Sequence, residues 1–316
     1  RARAPHREDR GIRTGARRLT PPAATLRKNL EALYNRFNTR EYVHPDPLEV
    51  LYPFDDPLDQ ELVGLVAATL AYGRVTQILA SIGNVLTALG VAGGTSADRS
   101  PRAALEGMAE REIRARLEGF VHRFTPSSQM SSLLIGVKRA VEAHGSLEKL
   151  FAQGAAPDQE TVLPALAAFV EKLRSLCGGA EACPSLLSSP EDGSACKRLN
   201  LYLRWMIRRD AVDPGPWTLP LQAKLVVPLD THLFRISTGI GLTSRRQADL
   251  RTAVEITRRF AEASPADPAR YDFPLTRLGI NPACRALACG RPFEPGSHPA
   301  RGDGRRRSGR RESPKR

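Results

Sequence analysis

The chain has 316 residues, 41% of them hydrophobic, with 47 Lys and Arg against 34 Asp and Glu and a formal net charge of +13. This length suggests one large domain or two small ones, and this composition excludes a wholly disordered chain. No apolar run approaches the ~20 residues of a membrane span, and five cysteines, an odd number, argue against a disulfide-built secreted domain. The reading is therefore a cytoplasmic protein away from membranes. Arg1 in place of an initiating Met suggests a fragment or a mis-called start.

The charge sits mostly at the ends. Residues 1–20 carry seven Arg and two acids, residues 299–316 carry eight basic residues and two acids, and residues 21–298 keep only +2. Residues 1–21 and 298–316 have almost nothing apolar to bury, so both are expected to be disordered basic tails. Between them, residues 22–297 read as one helical domain. Leu62 to Tyr72 is the longest apolar run and stops at Arg74, and Ile78, Ile82, Val85, Leu86 and Leu89 recur at helical spacing. Breaks follow at Gly93–Pro101, Gly154–Pro157, Gly178–Asp192 and Asp210–Pro220. Leu199, Leu203, Met206 and Ile207 mark a second helical face. Leu250, Ala253, Val254, Thr257 and Ala261 mark a third. Asp267-Pro268 is the pattern of an N-cap followed by proline at the first helical position. No segment alternates convincingly with period two, so the fold class is all-α.

Two stretches carry possible chemistry. From Pro190 to Trp205, a turn containing Gly193, Ser194 and Ala195 opens directly into an amphipathic helix bearing Lys197, Arg198, Arg204, Arg208 and Arg209. Backbone N–H groups at such a helix start favour an anion, and a duplex phosphate would suit it. An ordinary capped helix with a basic face is the plainer alternative. The second stretch is Val226-Val-Pro-Leu-Asp230-Thr-His232-Leu-Phe-Arg235-Ile236. Asp230 opens a helix there, either as its N-cap alone or as a functional acid.

Taken together, the turn ending in Lys197 and the Val-Pro-Leu-Asp230-Thr-His232-Leu-Phe-Arg235 run closely resemble the helix-hairpin-helix DNA glycosylase superfamily, which includes endonuclease III-like and 8-oxoguanine DNA glycosylases. Tyr271 to Gly279 is similar to the helix that follows in those enzymes. More narrowly, residues from about 25 to 290 resemble a bacterial family of conserved hypothetical proteins assigned to this fold. The chain departs from the pattern at Ala195, where a second glycine is usual, and Pro274 falls inside the presumed final helix. The 33 residues from Lys197 to Asp230 resemble the archaeal 8-oxoguanine branch. The four-cysteine iron–sulfur loop is missing: Cys284 and Cys289 follow the last helix, Cys177, Cys183 and Cys196 lie upstream, and no C-x-x-C pair exists. Neither a cofactor nor a metal is expected.

The resemblance implies a two-lobed fold, with lobe one at about 62–224 and lobe two combining 22–61 with 225–292. The active site would lie in the cleft between them. Asp230 would stabilise positive charge at C1′ of the damaged nucleotide, and Lys197 would attack C1′ or else contact a phosphate while water attacks. Gly193, Ser194, Ala195, Arg198, His232 and Arg74 would contact DNA, and Tyr72 and Trp205 would sandwich the extruded base or simply pack the core. The implied function is a monomeric, nucleoid-associated DNA N-glycosylase with possible AP-lyase activity, acting on double-stranded DNA that carries a damaged base. The Lys–Asp spacing favours an oxidised purine. Two rivals remain: a non-catalytic helix-hairpin-helix DNA-binding protein, and a helical interaction scaffold without nucleic acid.

Overall fold

The computed structural model describes residues 22–91 and 100–280, which form helices joined by loops and short 3₁₀ turns, with one two-stranded hairpin. The all-α class holds. Both expected basic tails, Cys284 and Cys289 lie outside the described residues.

Helix α1 (Ala23–Phe37) buries only Leu26, Leu30 and Phe37. Helix α2 (Pro57–Thr69) starts where the Asp56 carboxylate accepts the Leu58 N–H at 2.8 Å and Pro57 fills the first position. Residues 61–69 are buried on every face, as expected of a central helix. Helix α3 (Val75–Ala88) buries Ile78, Ile82, Val85 and Leu86, the face expected from their spacing. Helices α4 (Pro101–Gly107) and α5 (Glu110–Arg116) lead into a tight hairpin in which β1 (Val121–His122) pairs antiparallel with β2 (Thr125–Pro126). Helix α6 (Ser127–His144) stops at Gly145, whose φ of 85° suits a glycine C-cap. Helices α7 (Leu147–Ala152) and α8 (Leu163–Leu176) follow, and α8 packs on α6. Helix α9 (Lys197–Ile207) lies against α2 and buries Leu199, Leu203, Met206 and Ile207. Helices α10 (Thr231–Gly239), α11 (Leu250–Ala261) and α12 (Asp272–Ile280) complete the described chain.

Two details differ from the sequence reading, at α11 and at Asp267. The buried face of α11 is Ala253, Ile256, Thr257 and Phe260, while Leu250, Val254 and Ala261 are only partly covered. Phe260 supplies the largest apolar area on that helix and meets Tyr271 edge-on at 5.6 Å, which turns the helix toward it. Asp267 precedes a 3₁₀ turn starting at Pro268 but does not cap it, because its carboxylate pairs with Arg208 at 2.8 Å. Pro274 is tolerated because it lies in the first turn of α12, where a missing N–H leaves no intrahelical bond unmade.

Apolar side chains gather into two cores. The first runs from Val43 to Leu225 and includes Ala269 and Phe273. The second joins Leu26, Leu30 and Phe37 to residues from Val226 to Leu278. The expected division at residue 61 is therefore shifted: Val43, Leu48, Leu51 and Phe54 belong to the first core, where the turn at Pro47–Leu51 packs on α2. Among the described residues, no helix is long and apolar enough to cross a membrane.

Candidate functional site at the start of helix α9

The turn before α9 is built on local hydrogen bonds. Ser189 caps the 3₁₀ turn Pro190–Asp192, and Gly193 ends it at φ 71°. A Cβ on Gly193 would meet nothing within 4 Å, so the glycine serves the left-handed backbone rather than a close contact. The second left-handed residue is Cys196 at φ 47°, not Ala195, so the alanine occupies no glycine-only angle. Ser194 Oγ accepts the Cys196 N–H at 3.2 Å, and the Ala195 carbonyl accepts from Asn200.

Lys197 is the first residue of α9 and donates through Nζ to the Ala71 carbonyl at 3.2 Å. Burial lowers the proton affinity of its ammonium, while the negative charges of Asp230, Asp46 and Asp272 oppose that loss. Lys197 borders a cavity of about 220 Å³ whose wall includes Tyr72, Leu186, Ser188, Ser194 and Cys196. Tyr72 is fixed there because its hydroxyl donates to the His122 carbonyl at 2.9 Å and is bonded to Thr125 Oγ at 2.7 Å.

Asp230 sits at the head of α10, half-buried, with Oδ1 accepting the Leu233 N–H at 2.7 Å. It is thus an N-cap, and it is also a charge felt by Lys197. It lies outside the wall of the Tyr72 cavity. His232 is half-buried one turn-step further along α10, and Arg74 is exposed at the start of α3.

Three expected roles fail. Trp205 cannot stack on a base, since it is fully enclosed in the first core at 0% exposure. Arg198 cannot serve as a phosphate contact as expected, because its guanidinium donates to the Thr69 carbonyl at 2.6 Å and to that of Ser185 and stands over the Tyr72 ring. It ties the cavity wall together instead. The basic face expected from Arg204 and Arg208 is inverted: both are buried and held by acids. Arg204 pairs with Asp213 at 3.0 Å and with Asp272. Arg208 pairs with Asp210 at 2.7 Å, with Asp267 at 2.8 Å and with Asp213.

The sequence reading also missed the β1–β2 hairpin. Its two-residue tip exposes Phe124 at 77%, and Val121 beside it is 67% exposed; these are the exposed large hydrophobic residues among those described. His122 anchors the hairpin through Ser81 at 2.8 Å and the Tyr72 carbonyl at 3.1 Å. The tip reaches the turn after α2, since a Cβ on Gly73 would come within 2.8 Å of the Arg123 side chain. The available signal was weak: a Val-His-Arg-Phe-Thr run between helices, too short to show a period of two.

Compared with known proteins, residues 46–281 match the family described as "Protein of unknown function (DUF2400)". No curated protein and no solved structure matches the chain. The matched stretch contains Tyr72, the hairpin, Lys197, Asp230 and Asp272.

Proposed function

The chain belongs to that family, and we propose that it is a DNA N-glycosylase of helix-hairpin-helix glycosylase-like fold that removes a damaged base from duplex DNA. The observation that carries this reading is the place of Lys197, buried at the head of α9 on the wall of the Tyr72 cavity. Lys197 borders a cavity of about 220 Å³, and Asp230, 33 residues on in sequence, is one of the acids whose charge acts on it. A lysine can attack C1′ only as the free amine, and burial pushes Lys197 in that direction. Attack forms the N–C1′ bond as the glycosidic bond breaks and the base leaves with its electron pair. The sugar ring then opens to a Schiff base, and β-elimination cuts the strand. Asp230, held by the Leu233 N–H, stabilises the positive charge that builds on the sugar.

The remaining parts follow from this chemistry. Taking the base out of the stack costs a few kcal/mol, and the Tyr72 ring offers it an aromatic wall. Phe124, exposed on the hairpin tip, is suited to fill the gap left in the duplex. The backbone of Gly193 to Ala195, with His232 and Arg74, would hold phosphates. An oxidised purine is the favoured substrate, on the Lys–Asp spacing. The enzyme would work as a monomer on nucleoid DNA without a cofactor.

Borohydride trapping on duplexes carrying 8-oxoguanine, oxidised pyrimidines or abasic sites tests the reading. The wild-type protein gives a covalent adduct, Lys197→Ala gives none, and Asp230→Asn loses base release. A wild-type protein that neither releases a base nor traps on any lesion would overturn the proposal, and a Lys197→Ala protein that still traps would reassign the nucleophile.

A further inference from the structure

Tyr72 stands on the wall of the Lys197 cavity and is bonded to both sides of the β1–β2 hairpin tip. Its hydroxyl donates to the His122 carbonyl at 2.9 Å, so in the 2.7 Å bond to Thr125 the threonine hydroxyl donates. His122 and Thr125 are the register pair that flanks Arg123 and Phe124. The His122 side chain, 2% exposed, then returns to Tyr72. The two rings meet edge-on at 4.7 Å, and His122 Nε2 is bonded to the Tyr72 carbonyl at 3.1 Å. A carbonyl only accepts, so in the neutral ring Nε2 carries the proton and Nδ1 accepts the Ser81 hydroxyl of α3 at 2.8 Å. Burial favours that neutral ring.

Displacing the tip therefore strains or breaks bonds to Tyr72. Arg123, at the tip, holds a left-handed φ of 52°, a conformation that persists only where the surroundings fix it. Arg198, next to Lys197 in the chain, stands over the Tyr72 ring at 5.1 Å. We infer that His122 is a positioning residue: it joins the exposed hairpin tip to the Tyr72 ring, so that a duplex seated on Phe124 sets that ring against the cavity. This rests on the glycosylase reading for the duplex, whereas the coupling of His122 to Tyr72 stands on the hydrogen bonds alone.

The experiment reads the Tyr72 ring by NMR of the whole chain with ¹³C-labelled tyrosine, the signal being assigned by its absence in Tyr72→Phe. Ser81 is the lever, because its hydroxyl acts on Tyr72 through the His122 ring and alanine suits its place in α3. In the free protein Ser81→Ala shifts the Tyr72 signal, Ser81→Thr restores it, and Ser81→Ala adds nothing in a His122→Ala background. A Tyr72 signal indifferent to Ser81→Ala overturns the inference, whether or not His122→Ala folds. So does a Ser81→Ala shift undiminished in a folded His122→Ala protein. On lesion-bearing DNA, Ser81→Ala lowers single-turnover base release about tenfold and leaves the duplex Kd within about twofold of wild type. Single-stranded substrate loses as much, since the ring is displaced on either. A loss confined to Kd overturns the positioning role. A shifted Tyr72 signal in a protein whose wild type neither releases a base nor traps on any lesion would uphold the coupling and sink the glycosylase reading instead.

Discussion

Arg204 on α9 is ion-paired with Asp272 at the head of α12, and this buried pair links the first apolar core to the second. The link continues through Asp213, shared by Arg204 and Arg208, and through Arg208 to Asp210 and Asp267. Asp210 in turn accepts from Tyr34 and Asn38 at the end of α1, at 3.1 and 3.0 Å. The network thus ties α1, α9 and α12 into one frame.

Asp213 is the most exposed to loss among these acids, in the energetic sense, because two buried guanidinium groups depend on it. Removing one partner of a buried pair strands a charge and costs about 3–5 kcal/mol. Asp213→Ala is expected to lower the free energy of urea unfolding by that amount, and a loss under about 1 kcal/mol would show that water reaches the network.

Phe124 should behave in the opposite way. At 77% exposure it contributes little to the fold, so Phe124→Ala should leave stability within about 0.5 kcal/mol of wild type. Excision from duplex DNA should drop by about tenfold or more, while excision of the same lesion in single-stranded DNA should be spared. Equal losses on both substrates would assign Phe124 a role other than filling the duplex.

Two glycines separate strain from steric conflict. Gly193 at φ 71° has open space where a Cβ would go, so Gly193→Ala costs only the backbone strain, about 1 kcal/mol. Gly215 at φ 53° would bring a Cβ within 2.4 Å of the Arg208 carbonyl, so Gly215→Ala adds a clash to that strain and should cost at least about 3 kcal/mol. Thermal or urea unfolding of both variants checks the ranking; equal costs would contradict it.

Glu61 is buried in α2 and accepts the Leu147 and Glu148 N–H groups at the start of α7, at 3.0 and 2.8 Å. Burial nevertheless pushes its carboxyl up from 4.5 to about 7. The folded protein then binds this proton more tightly than the unfolded chain, so the stabilisation is complete below pH 4.5 and is lost as pH rises through about 7. The loss from this group is about 3 kcal/mol at most. Asp272, pushed up to about 6, slopes the same way. Urea unfolding across that window should show a shallower fall for Glu61→Gln than for wild type, and parallel curves would argue against a buried, titrating Glu61.

Much of the helical layout was legible because periodicity is local: the stripes at Ile78–Leu86 and Leu199–Ile207 are buried as their spacing requires. Lys197 and Asp230 were legible as motif residues, each with a plain alternative as a helix start. The same reasoning misread Arg204 and Arg208. On a helix full of cations, the sequence does not reveal which of them will meet acids 59 or 68 residues away. Trp205 stayed open between two roles for a similar reason, since an aromatic residue suits a base pocket and a core equally well until its neighbours are known, and it packs the core.

By itself, then, the sequence determined the all-α class, the turn at Gly193 and the acid that opens α10, because each depends on residues within a turn or two of one another. Tertiary structure alone decided that Lys197 borders a cavity walled by Tyr72, that Arg204 is ion-paired with Asp272, and that Phe124 is left in solvent at the tip of the hairpin. Those outcomes depend on which distant charges and apolar faces are brought into contact, and burial then sets how strongly each charge is felt.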